Sequence, residues 1–453
     1  MALRGRDAWR PWRALSAEFW RTWLVVLVSR SAQFVEAFLP LLLLNTLGAS
    51  AAATAAVLVA QQAAATFIVA GEGWLVRNLG LARVIRWGLG GSALAVAALA
   101  ISQTLMVIGL AAAAFGAASG AWRTAIQVAV PRTLVASASD APRASYRDQD
   151  AAIRAAAFGA IFWAANFGAV ASAVAGVAGA PLRVLFAVQA LTTGAAFVLT
   201  WILPRDFGSS EISPAAHPLH RPTESEIRRA RRRVRYLVLA FIPATMLMFQ
   251  AFSGLAVLMP SEGYRQMVLV NAAVLVLAQP VVTPLLRILG TAGATIAAIA
   301  AMAVGISAQA MWPAALGWTV LWTLGELIIV IVPAGLVTAA VPSALAADHV
   351  GRFQVAQGCA AAVALYAGPL IAALDDTYFS AACMFTGSIG IVAVLGVSAS
   401  IRASWQQPLT CPCGALFCVC SGGHTACASP SPVLMHQATA AASGAVRSAD
   451  HSR

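Results

Sequence analysis

GEGWLVRNLGLARVIR, residues 71–86, is the stretch whose reading decides the fold. Apolar runs of membrane-spanning length flank it on both sides. Its three arginines, Arg77, Arg83 and Arg86, fall in a connection too short to be a domain. Arginine gathered beside a span marks the cytoplasmic face, so the stretch reads as a short cytoplasmic hinge between two helices. Outward from it, segments of the roughly 20 apolar residues that a bilayer crossing needs account for nearly everything between Arg21 and Arg402. Twelve are expected, which makes the chain an all-α membrane protein.

Composition agrees with that reading. Of 453 residues, 60% are hydrophobic and only 10% are charged, too little polar surface for a soluble domain. The net charge of +12 comes entirely from arginine against acid, since there is no lysine. With a cytoplasmic N-terminus, every arginine falls in the N-terminal segment, the inward loops or the tail except Arg183 and Arg265, which lie outside, and Arg30 and Arg123, which lie within apolar segments. That distribution points to the anionic inner leaflet of the lipid bilayer as partner and not to nucleic acid. Abundant Ala and Arg without Lys suggest a bacterial genome of high GC content. The first apolar run, residues 23–44, is too long for a signal-peptide core and reads as a retained first helix. A multi-pass protein of the cell membrane with both termini cytoplasmic is expected.

Along the chain, residues 1–20 form a cytoplasmic N-terminal segment in which Arg4, Arg6, Arg10 and Arg13 alternate with Trp9, Trp12 and Trp20, the pattern of an interfacial helix or a charged tail. Residues 21–203 hold six apolar segments, 204–235 a basic cytoplasmic central loop with the run IRRARRRVR, and 236–402 six more. Six before and six after suggest two related halves. A faint repeat supports this: Arg77-Asn78-Leu79-Gly80 recurs as Arg287-Ile288-Leu289-Gly290 at the same place in the second half. The tail, 403–453, is rich in Ser, Ala and Cys. Its C-x-C spacing does not suit a zinc knuckle, so no metal is expected and a disordered, reduced cytoplasmic tail is the reading.

Ionisable side chains cost about 2.5–3.5 kcal/mol at the centre of a membrane helix, so each embedded one needs a reason. Four stand out: Arg30 and Glu36 in the first segment, Arg123 in the fourth and Glu326 in the tenth, with Gln33, Gln127, Asn166, Gln250 and Asn271 as uncharged companions. At about 1.5 Å rise per residue, Glu36 and Glu326 fall near the midplane, where transporter sites lie. Arg30 is shallower and Arg123 is close to the inner end, where either could snorkel. Desolvation favours a protonated carboxyl group and a nearby arginine favours the ionised form, so a cavity holding both can take and give up a proton. A neutral acid hydrogen-bonded between helices is the alternative for each. Along one continuous helix, Arg30, Gln33 and Glu36 spread over a broad stripe, and Arg30 need not meet Glu36.

The order of Gly73, Arg77, Gly80 and Arg83 resembles the signature between the second and third helices of major facilitator superfamily transporters, with Arg77 where the family has Asp. The fifth segment is similar to the seam of the drug-exporting branch at Gly159, Gly168, Ser172, Ala173 and Gly176, with Ala173 in place of proline. Small residues there permit close helix contact. Trp322-Thr323-Leu324-Gly325-Glu326-Leu327, Gly351-Arg352-Phe353-Gln354 and Arg123-Thr124-Ala125-Ile126-Gln127 resemble segments of bacterial multidrug:proton antiporters. The resemblance covers roughly residues 20–402. It implies two pseudo-symmetric six-helix bundles, a cavity lined by the first, fourth, seventh and tenth helices, and function as a monomer.

It further implies export of a small lipophilic or cationic molecule driven by the proton gradient, with no cofactor. Glu36 and Glu326 would carry coupling beside Arg30 and Arg123, and Gln33, Gln127, Gln250 and Trp322, with Phe34 and Phe252, would line the substrate cavity. The family's hinge acid locks the outward-facing state, so Arg77 implies a weak lock or one rebuilt with Glu72. Alternatives of the same fold are an uncoupled facilitator, an importer, or a transport-inactive sensor or scaffold. The sequence carries no H-E-x-x-H, nucleophile elbow or phosphate-binding loop, and an enzyme is not expected.

Overall fold

The computed structural model describes residues 15–135, 146–203, 224–340 and 343–400. Within the body that contains them the elements are helical: α1 Ala17–Arg30, α2 Phe34–Leu41, α3 Ala51–Leu79, α4 Leu81–Ile101, α5 Leu105–Val135, α6 Tyr146–Val177, α7 Leu182–Leu199, α8 Glu224–Leu258, α9 Ser261–Met311, α10 Gly317–Ala340, α11 Ser343–Ala372 and α12 Asp376–Ser400. The first span is α1 and α2 together, and α9 supplies two spans that bend at Gly290, so the spans number twelve. Among the described residues, nine stretches are long and apolar enough to cross a membrane, and 163–177 and 317–333 are shorter apolar helices.

The two halves repeat one packing scheme. In the first, α3 and α4 pack on α5, α4 on α7, and α1 on α6 and α7; in the second, α9 packs on α10 and α12, and α8 on α11 and α12. Between the halves, α3 packs against α11 and α6 against α9. These two pairs exchange under the same half-to-half correspondence. One local device also recurs. A Cβ at Gly88 would stand 2.8 Å from the Trp122 Cβ, and one at Gly305 would stand 2.9 Å from the Trp322 Cβ, so glycine admits a tryptophan-bearing helix in each half.

Three expectations change. The hinge is not a loop over 71–86: α3 runs to Leu79, α4 starts at Leu81, and Gly80 alone turns the chain. Leu75 and Val76 continue the apolar face onto the core, which keeps that stretch helical. Gly80 has φ 80° and ψ 148°, and Gly290 has φ 66° and ψ 166°. The weak sequence repeat therefore marks a repeated backbone conformation that a Cβ disfavours. We call the end of the molecule that carries Gly80 the hinge end.

The basic run is not a loop either, because α8 already includes 227–235. Arginine is a good helix former; Ala230 and Val234 are buried while Arg229, Arg231, Arg232, Arg233 and Arg235 stay exposed, an amphipathic extension. The third change concerns the first span, which is broken and not continuous. Residues 1–14, most of the central loop and the tail lie outside the described residues.

Candidate functional site

The site grows from the break in the first span. The Ser29 and Ser31 hydroxyls donate to the Val26 and Val28 carbonyls at 2.9 and 2.8 Å, competing with the helical ladder. α1 ends at Arg30 and α2 begins at Phe34. Pro40, which has no N–H to give, shortens the regular part of α2, and a π-turn over Leu42–Thr46 follows. Backbone groups freed inside a membrane must find partners in the protein. They do: the Gln33 N–H donates to Ser172 Oγ at 2.6 Å and the Val35 N–H to Gln189 Oε1 at 2.8 Å. Gln33 itself ties the break to α6, its Nε2 donating to the Ala165 carbonyl at 2.7 Å.

This break brings the charges together. Arg30 ends α1 and Glu36 lies in the first turn of α2, each at the helix end whose dipole suits its sign. Arg30 Nη1 reaches Glu36 at 3.8 Å and donates to Gln33 Oε1 at 2.7 Å. Arg123, from α5, pairs with the other Glu36 oxygen. The expectation that Arg30 need not meet Glu36 fails because it assumed an unbroken helix. The Trp122 ring lies 5.3 Å from the Arg30 guanidinium and 5.7 Å from that of Arg123, within cation–π range. Glu36 keeps 36% of its side-chain surface, Arg123 30% and Arg30 17%, so the cluster borders open space.

Glu326 is different. It is 6% exposed, and Asn271 Nδ2 donates to it at 2.6 Å and to Thr323 Oγ1 at 3.0 Å. Thr323 donates to the Thr319 carbonyl, and the Thr319 hydroxyl to Gln309 Oε1 at 2.9 Å. This polar line is enclosed between α9 and α10 and lies apart from the arginine cluster, with no ion pair among the described residues.

The remaining candidates fall into separate places. Trp322 is fully buried, edge-on to Phe252 at 5.7 Å, and Gln250 is buried beside Cys383, so both pack within the second half. Phe34 stacks on Phe38. Gln127 crosses between the halves, its Oε1 accepting from Gln354 Nε2 at 2.9 Å. Nearby, a Cβ at Gly358 of α11 would overlap Thr66 of α3, so the halves meet closely there. At the hinge, Gly73 and Gly80 sit in and after α3, Arg77 and Arg83 are exposed, and Glu72 forms no salt bridge with a described residue.

Along α6, a Cβ at Gly168 would overlap the Arg30 carbonyl and one at Gly176 would crowd the Phe38 ring, while Ser172 and Ala173 are buried. The seam thus lies against the broken span. Nothing is described of the surroundings of Gly159.

Several residues of the site carried no motif. Gln189 is a lone amide in an apolar run, a signal as good as that of Gln250. Tyr264, fully buried, offers its hydroxyl to the Phe252 and Ala37 carbonyls at 2.9 and 3.1 Å, and Arg265 donates to the Gly176 carbonyl at 2.7 Å. Both join the halves at the end opposite the hinge. A cavity of about 270 Å³ lies at that end, lined by Leu41, Asn45, Pro181, Arg183 and Arg265 among others, away from the Glu36 cluster.

No family model matches the sequence, and no curated protein matches it. Solved structures do match. A variant of the nucleoside transporter NupG aligns over 85% of this chain and 100% of its own with a TM-score of 0.62 at 13% identity. A POT family transporter crystallised with 5-aminolevulinic acid gives 0.64 at 13% identity over 85% and 96%. A peptide transporter POT in complex with alafosfalin gives 0.62 at 15% identity over 86% and 95%. At such identities the likeness establishes the fold. The chain is a multi-pass, all-α membrane protein with the major facilitator fold, twelve spans in two pseudo-symmetric six-helix bundles.

Proposed function

We propose that the chain is a proton-coupled secondary transporter of a small molecule, working by alternating access, with Glu36 as the group that takes up and releases the proton. The observation that carries this reading is the Arg30–Glu36–Arg123 cluster, held at a break in a membrane-spanning helix and bordering open space. Embedded charges in a membrane mark ion and substrate paths, and broken helices are where transporters place their sites. Glu326 lacks an arginine partner and is enclosed, which suits a structural acid better than a coupling one.

Alternating access needs contacts that open by turns. Thr66 with Gly358 and Gln127 with Gln354 join the halves toward the hinge end, and Tyr264 with Ala37 and Arg265 with Gly176 join them at the other. The hinge end is read as cytoplasmic, in the cell membrane of a bacterium, with both termini inside and anionic lipid around the arginines. The chain works as a monomer, without cofactor beyond the proton gradient.

Export of a lipophilic or cationic molecule in exchange for protons is the form supported by the antiporter-like segments. Uptake is a second form, favoured by one observation, the excess of arginine over acid at Glu36. The test is substrate-triggered pH change in inverted vesicles carrying a proton gradient, with lipophilic cations, neutral molecules and carboxylates compared between the parent and Glu36→Gln. A compound that dissipates the gradient only in the parent supports the reading. Tracer transport that persists with no proton movement sinks coupling and leaves a facilitator.

A further inference from the structure

We propose that the site takes small organic molecules bearing a carboxylate, and that anion and proton travel together, the substrate carboxylate replacing protonated Glu36 on Arg30 and Arg123. This rests on reading Glu36 as the proton carrier and on the uptake form of that function in place of export by exchange, and names the substrate class of that site.

The first ground is charge. Two guanidinium groups meet one carboxylate, which leaves one positive charge uncompensated in a membrane span. The elements around Glu36 do not supply the missing acid. Among the described residues, α1 presents Arg30 and α5 presents Arg123, α6 and α7 turn the uncharged Ser172 and Gln189 toward the break, and the Tyr264 hydroxyl of α9 is engaged with backbone carbonyls; on α3, Glu72 bonds the Thr124 side chain next to Arg123 but pairs with neither arginine. No second carboxylate lies within ion-pair reach of either arginine among the described residues. A cationic substrate would meet this surplus as repulsion, and an anionic one would relieve it.

The second ground is donor capacity. A guanidinium carries five N–H donors and binds a carboxylate best through two of them. Arg123 Nε is buried and has no acceptor, so its fork is only partly used by Glu36. Trp122, buried in the core of the first half, backs the same two guanidinium groups and helps to hold them in place.

The third ground is balance through the cycle. With Glu36 ionised and no substrate, the cluster holds one uncompensated positive charge. With a proton on Glu36 and a monocarboxylate on the arginines, it holds the same charge. Empty and loaded carriers therefore carry the same net charge across the membrane. An ionised Glu36 and a bound anion would compete for the same guanidinium edges, so each favours the other's proton-balanced state. The proton gradient then drives acids in the direction that protons flow.

The test uses purified full-length protein in detergent, with its unfolding midpoint measured against benzoate, benzylammonium and benzyl alcohol between about pH 8 and about pH 6. Benzoate is expected to stabilise, with apparent affinity rising toward the limit of about tenfold per pH unit that one linked proton allows. Glu36→Gln is expected to bind benzoate more tightly than the parent at the alkaline end and without pH dependence, a gain that misfolding cannot produce. Arg30→Gln and Arg123→Gln are expected to lose benzoate stabilisation. Benzoate without effect on both parent and Glu36→Gln, or with an effect unchanged in Arg123→Gln, overturns the proposal. Stabilisation by benzylammonium that grows with pH and vanishes in Glu36→Gln overturns it too, while leaving Glu36 as proton carrier. Benzoate binding whose pH dependence survives Glu36→Gln removes Glu36 from the proton role.

Discussion

Replacing Gln189 by leucine isolates the device that holds the first span open. Val35 is the second residue of α2, so its N–H has no acceptor one turn earlier in its own helix. Gln189 Oε1, at 2.8 Å, supplies it, and Val35 is 0% and Gln189 4% exposed. Leucine keeps most of the side-chain volume and removes the acceptor. Leaving a buried N–H unsatisfied costs about 1–3 kcal/mol. Hydrogen bonds between membrane helices are worth less on average, about 0.6 kcal/mol, because the separated helices find other partners. The larger range applies here, since a backbone N–H at a helix break has no ladder to rejoin. Gln189→Leu is therefore expected to lose about 1–3 kcal/mol in denaturant unfolding from mixed micelles, and to lose transport with it as Arg30 and Glu36 drift apart. Thr192→Val is the control on the same helix, because Thr192 bonds only the Gln189 carbonyl of its own turn. If Gln189→Leu unfolds with the control and transports like the parent, the break is not held as described.

Glu326→Gln keeps an oxygen for Asn271 and is expected to fold and transport nearly as the parent, whereas Glu326→Leu leaves one Asn271 amide N–H without an acceptor, the other still reaching Thr323, at a cost of about 1–3 kcal/mol; a loss of proton coupling in Glu326→Gln would move the coupling role to the second half. Gly80→Ala and Gly290→Ala each place a Cβ on a positive-φ, extended-ψ residue that glycine alone adopts readily, and are expected to lose about 1–3 kcal/mol in thermal unfolding, with equal effects testing the equivalence of the two turns. Gln127→Cys with Gln354→Cys, in a background lacking all seven native cysteines, is expected to cross-link under oxidation and arrest transport reversibly; unimpeded transport by the cross-linked protein would show that this contact need not open.

Much of the fold was legible in the sequence because the bilayer imposes it. Apolar runs of fixed length give the number of spans with no knowledge of packing. The repeat Arg77 to Gly80 and Arg287 to Gly290 was visible as letters, but only the backbone shows why the glycines recur, through their shared positive φ. What was not legible depended on partners distant in the chain. The break at 31–33 is stabilised by Ser172 and Gln189, more than a hundred residues away, so helical periodicity alone drew the first span as continuous and separated Arg30 from Glu36. For the same reason Trp322 and Gln250 looked like cavity residues when their neighbours bury them.

The account's central claim is that Glu36 itself takes up and releases a proton inside the membrane. Infrared difference spectra of the reconstituted protein on acidification measure this most directly, through the carbonyl band of a protonated carboxyl group. The account predicts a band that appears on acidification in the parent and is missing in Glu36→Gln, and that persists in Glu326→Gln. A spectrum unchanged by Glu36→Gln would contradict it.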